Sequence, residues 1–93
     1  MEELLLLCSI MFYPSMEVTI RIDEGYNYGY FWWNTEIITM QRYERDVLQH
    51  ELTHLMMKKL GWSLYRSQQH DHIFDATQEY VRGRLRCQRR NKK

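Results

Sequence analysis

His50, Glu51 and His54 form the pattern His-Glu-x-x-His, with Leu52 and Thr53 between the acid and the second imidazole. On an α-helix, residues four apart lie about 6 Å apart along the axis on one face, so His50 and His54 can reach a single metal ion. Glu51 is turned about 100° around the helix from His50, where its carboxylate can meet a water on that ion without displacing it. The chemistry such a set performs is hydrolytic: zinc brings the pKa of a bound water to about 7 and polarises a carbonyl, while the carboxylate takes the proton. A catalytic zinc usually has three protein ligands, so a third donor must come from further along the chain. The candidates are His70, His72, Asp75 and Glu79.

These residues need two positioned elements. Val47, Leu48, Leu52, Leu55 and Met56 recur at helical spacing, which predicts a helix over residues 43–60. Glu44 and Asp46 suit its positive end, Lys58 and Lys59 its negative end, and Gly61 can take the left-handed conformation that ends it. Residues 62–69 read as a connection. Ile73, Phe74, Thr77, Tyr80, Val81 and Leu85 then predict a second helix over residues 71–86 with Asp71 as its N-cap.

Upstream, residues 17–22 alternate strictly, with Val18, Ile20 and Ile22 on one face, as in a half-buried strand. Residues 23–25 make a turn, and residues 28–33 and 36–40 read as a hairpin about Asn34 and Thr35. Four consecutive leucines in residues 2–13, ended by Pro14, favour a short helix over a buried strand. The expected fold is α+β: a single small domain in which a short antiparallel sheet packs on the His-bearing helix and on a second, ligand-bearing helix.

Ninety-three residues allow one domain, and 44% hydrophobic with 14% aromatic content excludes a disordered chain. Cys8 and Cys87 lack Cys-x-x-Cys spacing, so they read as two inert thiols and not as a disulfide framework or a zinc ribbon. The apolar run in residues 4–13 is too short to span a bilayer, and Glu2 and Glu3 are the wrong charge to open a signal peptide. A cytoplasmic protein without stable membrane insertion is therefore expected.

Charge is uneven: residues 82–93 hold seven basic side chains and no acid, leaving six basic against twelve acidic before them. The domain is taken as residues 1–86 and a basic tail as residues 87–93, able to bind nucleic acid through phosphates or to serve as a solvated end. Tyr28, Tyr30, Trp32 and Trp33 could stack on bases, but no Lys or Arg stands beside them in sequence, which favours cross-strand packing.

Taken together, the pentapeptide His50 to His54, the helix ending at Gly61 and the run His70-Asp71-His72-Ile73-Phe74 resemble the SprT-like zinc metallopeptidases, Spartan proteases included. In that family HExxH is followed roughly fifteen residues later by HxxxF. The resemblance spans roughly residues 16–86 and implies a zincin-like domain with Zn2+ held by His50, His54 and His70, Phe74 packed in the core, and a peptide or protein substrate. It implies Glu51 as the catalytic base. Asp71 stands where that family usually has Gly, and no cysteine-rich ribbon follows.

The chain is also similar in size to the minimal gluzincins, a likeness that makes Glu79 the alternative third ligand. The metzincin pattern is excluded, because it needs Gly and His where this chain has Met57 and Leu60. Asp71 or Asp75 could accept a hydrogen bond from a ligand imidazole, and Tyr65 or Tyr80 could stabilise an oxyanion. A peptide would add as a strand along an exposed edge at residues 36–40. The competing reading is a latent or inactive zinc-stabilised interaction module whose basic tail recruits nucleic acid or another partner.

Overall fold

Strict alternation makes a strand of β2 (Tyr13–Ile22), and its inner face buries Met16, Val18 and Ile20. In the computed structural model, which describes residues 2–10, 13–25 and 28–89, β2 lies at the centre of a five-stranded mixed sheet of order β3-β4-β2-β1-β5. Its members are β1 (Glu2–Ile10), β3 (Tyr30–Trp32), β4 (Ile37–Met40) and β5 (Arg86–Arg89). β2 pairs in parallel with β4, and every other pairing is antiparallel. Three helices, α1 (Arg45–Lys59), α2 (Leu64–Gln68) and α3 (His72–Arg84), complete a small α+β domain.

The leucine run of β1 corrects the helix expected there. Leu4, Leu6 and Cys8 turn to the core while Leu7 is 45% exposed, and residues 2–8 each face a partner on β2 before the register shifts. Four leucines in a row mask a period of two. Leucine's mild helix preference, a few tenths of a kcal/mol per residue, yields to a ladder that satisfies the backbone and buries every second side chain.

Residues 30–40 form the expected hairpin, joined by a turn in which Glu36 takes a left-handed conformation (φ 58°) and its N–H donates to the Trp32 carbonyl. No glycine relieves that conformation. It is braced from α1, where Lys58 and Lys59 reach the two Glu36 carboxylate oxygens at 3.1 and 3.0 Å. Burial works against the Glu36 charge, but the hydrogen bonds and charges of Lys59 and Lys58 outweigh it and hold the carboxyl below its ordinary range.

Leu48, Leu52, Leu55 and Met56 turn one face of α1 onto the sheet, where each fully buried side chain stabilises by about 1.5–3 kcal/mol. The helix ends as its sequence suggests. Gly61 sits at φ 94°, its N–H donates to the Lys58 carbonyl, and the Trp62 N–H donates to the Met57 carbonyl, a Schellman closure.

Two further expectations change. Cys8 and Cys87 are directly opposed on β1 and β5 and are joined as a disulfide, so neither is a free thiol. Partners 79 residues apart announce themselves only through strand pairing, which the local spacing of cysteines does not encode. β5 also carries residues 86–89 into the sheet, across the boundary drawn between domain and tail; Arg90, Lys92 and Lys93 lie outside the described residues. Among the described residues, no helix is long and apolar enough to cross a membrane.

Candidate metal centre

His50 and His54 project from one face of α1, one turn apart, with ring centroids 5.1 Å from each other. His70 arrives from the α2–α3 connection, its ring stacked on His50 at 5.2 Å and edge-on to His54 at 4.9 Å. One nitrogen from each of the three can be chosen so that all lie within 4.8 Å of one another. The Nε2 atoms of His54 and His70 are 3.1 Å apart. Two nitrogens bound to one tetrahedral zinc at about 2.05 Å would be about 3.3 Å apart, so this donor set fits a small divalent cation.

His70 holds its place at a backbone cost. It is a non-glycine residue in the left-handed region, at φ 51°. α2 and α3 fix the segment on either side: Ser63 caps α2 through the Arg66 N–H, Asp71 caps α3 through the Ile73 N–H, and Arg66 pairs with Asp71 at 3.1 Å. Phe74, 2% exposed, floors the cluster with its ring centroid 4.7–5.0 Å from each imidazole.

Electrostatics favour the neutral form of His50 and His54. Burial and the neighbouring charges of His50 and His70 push His54 down to about 4, and burial with His70 lowers His50. Neutral imidazole is the form that ligates metal. Glu51, 6% exposed, is pushed up to about 7 by burial, opposed by the Phe31 N–H that donates to it. The carboxylate is thus set between α1 and the outermost strand of the sheet. Gly29 lies against it: a Cβ there would meet Glu51 Oε2 at 3.2 Å and collide with the Val47 side chain.

A cleft of about 200 Å³ opens over the cluster, lined by His50, Glu51, His54 and His70 and walled by Tyr30, Trp33 and Leu64. Glu79, the alternative third ligand, lies on an exposed face of α3 outside the cluster, and His72 and Asp75 are likewise exposed and outside it. The imidazole partner is neither aspartate. Desolvation pushes the Asp71 carboxyl up, but the Ile73 and Phe74 N–H groups that donate to it and the charges of Arg66 and His72 together outweigh this and keep it low. Neither Tyr65 nor Tyr80 lines the cleft.

Sequence reasoning missed Ser67. It is fully buried on α2, and its Oγ lies 2.6 Å from His54 Nδ1. The signal for it is Ser63, four residues earlier, an N-cap residue that marks the start of a helix within residues 62–69. The edge strand was also misassigned: β4, residues 37–40, is paired on both sides, and the free edge beside the cleft belongs to β3. Compared with known proteins, the chain matches no family model, and no curated protein and no solved structure is significantly similar to it.

Proposed function

We propose that the chain is a zinc-dependent peptidase in which His50, His54 and His70 hold the metal, Glu51 is the catalytic base and kinship lies with the SprT-like metallopeptidases. The observation that carries the reading is the convergence of three imidazoles and one buried carboxylate in a single cleft. When bound, zinc supplies Lewis acidity and brings a coordinated water's pKa to about 7. Glu51 takes the proton of the attacking water and returns it to the leaving amine as the carbon–nitrogen bond breaks. The three imidazoles would hold the metal with one protein donor fewer than a closed structural zinc site uses, the number typical of hydrolytic sites. The free edge of β3, residues 30–32, borders the cleft and offers a place for an extended peptide to align.

Metal content and turnover test the reading together. Wild type is expected to bind about one zinc per chain and to cleave an unstructured peptide. Glu51→Gln should keep the zinc and lose about 10²–10⁴-fold in rate, because the amide keeps the shape of the carboxylate but cannot take a proton. Equal rates in the two proteins would end the peptidase reading, and no zinc uptake at neutral pH would end the metal-centre reading as well. A cytoplasmic setting would keep Cys8 and Cys87 reduced, so a thiol count on freshly isolated protein separates that setting from an oxidising one.

A further inference from the structure

We propose that Ser67 is a positioning residue of the metal centre: its hydroxyl accepts the Nδ1 proton of His54 and so keeps the Nε2 lone pair aimed at the space shared with His50 and His70. The inference rests on the metal-centre reading above. A neutral imidazole carries one proton and one lone pair, and only the nitrogen without the proton can bind a cation. In His54 the two nitrogens face different partners, Nδ1 meeting Ser67 Oγ at 2.6 Å and Nε2 facing His70 Nε2 at 3.1 Å. A proton on Nδ1 serves both contacts, since the hydroxyl accepts it while Nε2 stays free to ligate. Ligand histidines commonly donate their second N–H in this way, and here the acceptor is an uncharged hydroxyl.

Burial gives the contact its force. Ser67 is 0% exposed, so turning the His54 ring away would leave a hydroxyl without a partner and without water to replace it. α2 is too short to be stable by helix propensity, and tertiary links hold it: the Ser63 cap, the Ser67 N–H to the Ser63 carbonyl at 3.0 Å, and the Arg66–Asp71 pair at its far end. The same nine-residue strap, residues 63–71, therefore sets two of the three imidazoles, His54 through Ser67 and His70 through its own left-handed backbone.

Long-range proton–nitrogen NMR on the metal-free chain reads the His54 tautomer directly, and zinc titration reads its consequence. Wild type should show His54 protonated on Nδ1 alone. Ser67→Ala should give a mixture of tautomers and bind zinc about 10- to 100-fold more weakly. Ser63→Ala removes the α2 cap but leaves the bond to His54, and should stay within about threefold of wild type in zinc affinity. Wild-type His54 protonated on Nε2 would overturn the proposal, whether or not Ser67→Ala folds. Equal losses in Ser63→Ala and Ser67→Ala would overturn it too, by reducing Ser67 to a structural part of α2. A chain that takes up no zinc, yet whose His54 tautomer is fixed in wild type and mixed in Ser67→Ala, would remove the metal reading and uphold the role of Ser67 in orienting the ring.

Discussion

The helical half of the molecule, residues 45–84, and the strands β1, β2 and β5 solve different problems. The helical half gathers its donors from nearby in the chain: His50, His54, His70 and Ser67 fall within 21 consecutive residues, and each is set by a local device such as a helical turn, an N-cap or a left-handed residue. The strand half joins the two ends of the described chain, laying β5 beside β1 and bonding Cys8 to Cys87 across 79 residues. Chemistry is local here, and the frame is long-range. The two should therefore respond to different insults, the metal centre to changes in ring placement and the frame to loss of its staple.

Removing the staple should have the largest effect. Closing a loop of this length is worth about 4.5 kcal/mol in the chain-entropy model, and a small domain typically loses about 2–5 kcal/mol when a native disulfide is removed. Cys87→Ser is expected to lower the midpoint of thermal or denaturant unfolding accordingly while leaving zinc affinity of the folded chain close to wild type. A large loss of affinity in the folded mutant would show that frame and centre are not separable.

Next comes the converse cut. His70→Ala should weaken zinc binding by at least about 100-fold, equivalent to about 2.7 kcal/mol, with unfolding of the metal-free chain little changed, since alanine keeps the Cβ and with it the left-handed backbone cost. Glu79→Ala should alter neither quantity, since Glu79 is exposed and outside the cluster. Matching losses in the two variants, measured by competitive zinc titration, would return the third-ligand role to Glu79.

Gly29→Ala should cost about 1–3 kcal/mol of stability, because the added methyl collides with Val47 and crowds Glu51, and something in that well-packed contact must move. Chemical denaturation of the metal-free protein checks the figure. An unperturbed midpoint would mean that the segment over Glu51 yields freely.

The smallest effect belongs to the Glu36 brace. Its folded pKa is lowered, so its contribution to stability is present above the unfolded value near 4.5 and is lost as pH falls through the lowered folded value. Glu36→Gln should remove about 1 kcal/mol or less at neutral pH and flatten the dependence of stability on pH in that acidic window, with the slope above it unchanged. A profile as steep as that of wild type would assign the acid response to other carboxylates.

Much of the helical half was legible because its signals are short-range. Apolar spacing identified α1, Gly61 its end and Asp71 the start of α3, and the likeness to an HExxH…HxxxF pattern put His70, the imidazole that the fold brings to the other two, first among four candidate donors. α2 was passed over because five residues are too few to show a period, and Ser67 with it. The frame was harder. β1 looked helical because consecutive leucines carry no alternation, and its identity as a strand comes from the ladder with β2.

By itself the sequence determined His50, Glu51 and His54 as residues able to do chemistry, because helical pitch and residue type are properties of a few neighbours along the chain, and it left the third donor among His70, His72, Asp75 and Glu79. Tertiary structure decided what holds and limits them. It chose Ser67 over Asp71 and Asp75 as the partner of His54, left Glu79 outside the cluster, gave the sheet edge beside the cleft to β3 and bonded Cys8 to Cys87. The disulfide and the sheet edge join or expose segments far apart in sequence, and the Ser67–His54 contact depends on how two separate helices cross; both are fixed by which backbone ladders and buried faces are satisfied together.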